Sequence, residues 1–73
     1  MNIEIVDEEQ KLILSNEKFN NLNFVDVVLC DERAKDKDNP RGYVAEMSVP
    51  VEELKRAVDA FWEIKKYSDK NNQ

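Results

Sequence analysis

Seventy-three residues, 41% hydrophobic and 37% charged with a formal net charge of −5, describe one small soluble domain and leave no room for a second. At this length a folded chain buries only about 60% of the surface its unfolded form exposes, so its core is thin. A single cysteine, Cys30, and no histidine exclude an intramolecular disulfide and the common zinc sites, which leaves oligomerisation as the remaining route to added stability.

Residues 2 to 6, Asn-Ile-Glu-Ile-Val, alternate as a strand does, and Lys11 to Ser15 form a second short apolar run. Together they read as a hairpin, though the turn between them lacks the glycine that would define its type. Met1 to Val6 carries Glu4 where a secretory signal needs a basic and then an apolar stretch, and no apolar run approaches 18 residues. The expectation is a cytoplasmic protein without a membrane span.

Asn16 to Asn23 holds four asparagines and little periodicity, a loop whose Phe19 and Leu22 are expected to tuck under the core. Phe24 to Cys30, Phe-Val-Asp-Val-Val-Leu-Cys, is the strongest strand, rich in branched and aromatic side chains. Asp31 to Gly42 mixes acidic and basic residues and then supplies Pro40 and the only glycine, the composition of a long solvated hairpin loop. Tyr43 to Val49 alternates cleanly as a fourth strand.

From Val51 to about Tyr67 the period becomes helical. At 100° per residue Val51, Leu54, Ala57, Val58, Phe61, Trp62 and Ile64 fall within an arc of about 160°, opposite Glu52, Arg56, Asp59, Glu63 and Lys66. Pro50 suits the helix entry, Glu52 and Glu53 its positive end, and Lys65, Lys66 and Lys70 its negative end. Residues 1–67 form a single domain in this reading, and 68–73 a frayed polar tail.

The expected fold is therefore α+β: a four-stranded antiparallel sheet in ββββα order, with one amphipathic helix packed across one face. Strand alternation assigns Ile3, Ile5, Leu12, Leu14, Val25, Val27, Leu29, Tyr43, Ala45 and Met47 to the covered face. The outer face then carries Phe24, Asp26, Val28, Cys30, Val44, Glu46 and Ser48, with Val6 and Ile13. It is apolar enough to suggest an interface, with Phe24, Val28 and Val44 at its centre and Trp62 or Phe61 at the helix edge. Asp26 and Glu46 share that face as direct or diagonal neighbours, so a lysine or arginine, from a partner or from Lys11, is expected against the pair.

Catalysis is not expected. Without histidine or threonine, and with three serines, the usual bases and nucleophiles are missing, and Cys30 sits in an apolar strand as a small packing residue. One glycine is too few for a phosphate-cradling loop. Asp36-x-Asp38 opens like a calcium loop, but Pro40 stands at its fifth position, Arg41 at the obligatory glycine and Met47 at the closing glutamate. No metal and no cofactor are expected, and the apolar arc of the helix is needed for the core and not for a membrane surface.

What remains is a protein-interaction or accessory module, homodimeric through the outer sheet face, with Phe24, Asp26, Val28, Val44, Glu46 and Trp62 as its contacts. The alternative is single-stranded nucleic-acid binding. Arg41-Gly42-Tyr43, Met47-Ser48-Val49 and Glu53-Leu54-Lys55, within the stretch Phe24 to Ile64, give a pattern that resembles the positive-cofactor-four type of single-stranded-DNA-binding coactivators. That resemblance covers about half the chain as a pattern of residue classes. It implies the ββββα topology, a dimer, and nucleic-acid contacts from the loop residues Arg33, Lys35, Lys37 and Arg41. This chain departs from it in carrying Asp26 and Glu46 where a basic track would run, and in its negative net charge.

Overall fold

In the computed structural model, which describes residues 2–71, the chain adopts the α+β class and the element order expected of it. Strands β1 (Asn2–Asp7), β2 (Gln10–Ser15), β3 (Phe24–Asp31) and β4 (Tyr43–Pro50) precede one helix, α1 (Val51–Asn71). The strands form an antiparallel meander in the order β1-β2-β3-β4. Ser68 to Asn71, expected in a frayed tail, continue the helix instead. Lys65 pairs with Asp69 and Lys66 with Glu63, which staples the last turns. Residues 72 and 73 of that tail lie outside the described residues.

The β1–β2 hairpin turns over Glu8 and Glu9, and Glu8 takes a positive φ of 53°. A two-residue hairpin needs a positive φ at its first loop position to match the strand twist, and here a glutamate supplies it. The β3–β4 connection is more ordered than a solvated loop. Glu32–Ala34 form a 3-10 turn capped by Asp31, whose carboxylate accepts from the Arg33 backbone N–H. Asn39 then ties the loop together: its side chain donates to the carbonyls of Ala34 and Tyr43 and accepts from the Tyr43 N–H. Gly42, buried, takes φ +70°, and its carbonyl accepts from the Asp31 N–H at 2.8 Å.

Register sorts the side chains into two faces, because directly paired residues point the same way. The first face carries the rows Ile3–Leu14–Val27–Met47 and Ile5–Leu12–Leu29–Ala45, with Val25 beside Val49. The second carries Glu4–Ile13–Val28–Glu46, Val6–Lys11–Cys30–Tyr43, and Ser15–Asp26–Ser48. Tyr43 was expected on the first face and lies on the second. The register slips between Leu29 and Cys30, so Val44 becomes an extra residue and the parity of β4 changes there.

The helix differs most from its expected position. It does not lie across the first face: Phe61 keeps 74% of its surface and Ile64 65%, and Val58, Trp62 and Tyr67 are also exposed. The reason is the junction. β4 still pairs at Pro50, opposite Phe24, and α1 starts at Val51, whose N–H donates to the Asn23 carbonyl. Reversing direction over a sheet takes a loop of several residues, and none is present. The helix therefore meets the sheet chiefly next to β4, covers one corner with Val51 and Leu54, and runs off the end. The molecule measures 49 × 32 × 16 Å, and its radius of gyration is 15.4 Å, against about 11 Å for a compact chain of this length.

Candidate interaction surfaces

Burial is concentrated on the second face, the one expected to be outermost. Asp26, Val28 and Cys30, alternate residues of the central strand β3, are the buried strand residues, and Asp26 retains only 4% of its surface. Long side chains from the flanking strands and two loops roof this face. An isolated carboxylate so placed is costly unless it is paired.

The pair is Lys18. From the Asn16–Asn23 loop its Nζ reaches Asp26 Oδ2 at 3.2 Å and also hydrogen-bonds Glu46 Oε1. Asp26 and Glu46 are diagonal neighbours, and a lysine does lie against them, but it is neither Lys11 nor a partner's. Lys11 pairs with Glu4 instead, at 3.4 Å. The Asp26 carboxyl is held below its usual value by its interaction with neighbouring Glu46 and by the Lys18 ammonium that both share, while burial opposes the shift. The Lys18 ammonium is correspondingly raised, through Glu46 and then Asp26. Phe19 closes the same loop against Phe24, with ring centroids 6.0 Å apart. Leu22, expected beneath the core with Phe19, is exposed, beside the Pro50–Val51 junction.

Of the expected interface residues, Phe24, Asp26, Val28 and Glu46 share the second face, where Asp26 and Val28 are already covered by their own chain. Val44 stands exposed at the bulge. Trp62 is exposed on α1, eleven residues beyond the junction and so about 16 Å along the helix. The fold does not gather these six into one patch.

The four loop cations are placed as follows. Arg33 grips Asp31 through Nε and Nη2 at 3.0 and 2.7 Å, which holds the Asp31 carboxyl far below its ordinary value. Lys35 pairs with Glu32 at 2.8 Å. Arg41 reaches the Tyr43 hydroxyl at 3.3 Å. Lys37 is exposed and has no ion pair among the described residues. Lys35 and Arg41 line a groove of about 410 Å³ on the second face, together with Lys11 and the acids Glu4, Glu9, Asp31 and Glu32. Its acids outnumber its bases, the reverse of a phosphate-binding track.

Two surfaces that sequence reasoning did not single out are more distinctive. One is the apolar stripe of α1, which was expected to be core. The other is the first face of the sheet, where Ile3, Ile5 and Met47 are exposed and only the corner near Val51 and Leu54 is covered. Their apolar character was legible in the period of the strands and helix; that they miss each other was not.

Among the described residues no helix is long and apolar enough to cross a membrane, and no group of three or more Cys, Asp or Glu side chains is placed to hold a metal ion. Comparison with protein-family models, with curated proteins and with solved structures finds no match to this chain.

Proposed function

We propose that this chain is a small non-catalytic protein-interaction module, an accessory domain that works by docking another polypeptide. The observation that carries the reading is the exposed stripe from Val58 to Tyr67 on a helix that its own sheet does not cover. Most helical stability in proteins comes from tertiary packing of an apolar face, and the surface ion pairs of this 21-residue helix add only about 0.2–0.5 kcal/mol each. Covering the stripe with protein supplies the missing stabilisation.

The surface we assign is the stripe together with the first face. This moves the contact away from the outer face, where Asp26 and Val28 are internally engaged. Trp62 keeps its place in the assigned surface; Phe24 lies on the second face and Val44 at the bulge, outside it. The loop residues Arg33, Lys35, Lys37 and Arg41 support single-stranded nucleic-acid binding less well, since two of the four hold carboxylates of their own loop.

An amide NMR spectrum titrated with a mixed-sequence single-stranded oligonucleotide at low and moderate salt separates these readings. The module reading expects no salt-sensitive shifts in Arg33 to Gly42. Such shifts would replace it with nucleic-acid binding.

A further inference from the structure

We infer that the polypeptide docked on this surface is a second copy of the chain, each helix lying across the first sheet face of the other copy. The inference rests on the interaction reading above and names its partner.

Area comes first. The chain exposes 6341 Å², whereas a compact monomer of 8.6 kDa exposes about 4,700 Å². The excess is about 1,600 Å² per chain, and two copies that bury it form an interface of about 3,200 Å², within the range of obligate dimers.

Direction comes second. Val51 and Leu54 face Ile3, Leu14 and Val25 on the first face of their own sheet. The stripe continues along α1 on that same side, so beyond the sheet it looks toward the level the sheet has just left. A two-fold axis placed past the sheet's end, perpendicular to it, sets the partner's first face over the stripe and returns the partner's helix beneath this one's sheet. The contact is isologous and closes at two copies.

Charge comes third. Helix α1 carries Glu52, Glu53, Asp59, Glu63 and Asp69 against Lys55, Arg56, Lys65, Lys66 and Lys70, a net charge of zero. The rows of the first face from Ile3 to Met47 and from Ile5 to Ala45 hold no charged residue. Neither surface repels its copy despite the −5 of the whole chain, and neither is built to select a strongly charged partner.

Sedimentation velocity from 1 to 100 µM, on the wild-type chain and on Ile64→Glu and Met47→Glu, tests the arrangement. Wild type is expected as a dimer, and each variant alone is expected to dissociate at least about 30-fold more readily. An equimolar mixture of the two variants retains one intact helix-on-sheet contact, so it should form a 1:1 heterodimer tighter than either variant with itself. If the variants alone fail to fold, a folded 1:1 species on mixing is the same result. A monomeric wild type at 100 µM would overturn the second copy while leaving the oligonucleotide test of the interaction reading untouched. A dimer that Ile64→Glu breaks and Met47→Glu does not would overturn the helix-on-sheet contact.

Discussion

Replacing Gly42 with alanine tests how the β3–β4 connection is built. Gly42 sits at φ +70°, and a Cβ placed there would stand 2.3 Å from the Asp31 carbonyl oxygen and 3.1 Å from both its carbon and Lys35 Cγ. The Lys35 side chain can swing away, but the Asp31 carbonyl belongs to the end of the central strand. Left-handed backbone costs alanine about 1–2 kcal/mol. Moving the strand end by the better part of an ångström adds an overpacking cost of about 1–3 kcal/mol. It also endangers the 2.8 Å bond from the Asp31 N–H to the Gly42 carbonyl, worth about 1 kcal/mol. We expect Gly42→Ala to destabilise by about 3–5 kcal/mol in urea unfolding, which lowers Tm by at least about 12 °C in a domain of this size. Gly42→Asn separates the two contributions, since asparagine tolerates the dihedral but brings the same Cβ. It should recover part of the loss and no more. An alanine variant within about 1 kcal/mol of wild type would refute both the strain and the contact.

Three further outcomes follow from geometry already described. Glu8→Gly, at φ 53° in the first hairpin, should raise the urea midpoint by about 0.5–1 kcal/mol equivalent, the relieved strain outweighing glycine's entropy cost; a lower midpoint contradicts the turn geometry. The carboxyls of Asp26 and Asp31 lie below the usual value of 3.8, so their contribution is complete above pH 4 and is lost as pH falls through the lower folded values. Urea midpoints measured between pH 7 and pH 2 should fall on the acid side, and Asp31→Asn should flatten that limb. Lys18→Met removes the cation from Asp26, so amides of Asn16 to Asn23 should exchange faster with solvent while those of β1 keep their protection.

The strands and the helix were legible because most of their side chains follow the periods of 2 and 3.6 or, in β3, form a run of branched and aromatic residues. Ile3, Ile5, Leu12 and Leu14 were assigned to one face by parity alone, and the register places them there. Parity failed at Tyr43, because one extra residue at Val44 shifts everything before it, and alternation cannot register an insertion it was not counting. Lys18 escaped notice for a related reason: its partners are set by the path of an irregular loop, not by spacing. The position of α1 was missed because hydrophobicity says that a stripe must be covered and not which sheet covers it. Nor does a short Val49-Pro50-Val51 connection by itself say whether the helix turns back over its sheet or runs on past it; the structure shows strand passing into helix with nothing between them.

That direct junction makes the chain's length at one point matter more than its composition. Inserting a single residue between Pro50 and Val51 would turn every side chain of α1 by about 100° and advance it by about 1.5 Å, swinging Val58 and Trp62 out of the stripe to the side now held by Asp59 and Glu63. Several substitutions along the stripe would be milder, since each removes one contact and leaves the rest aimed. Descendants of this chain should therefore keep the count between Tyr43 and Tyr67 unchanged.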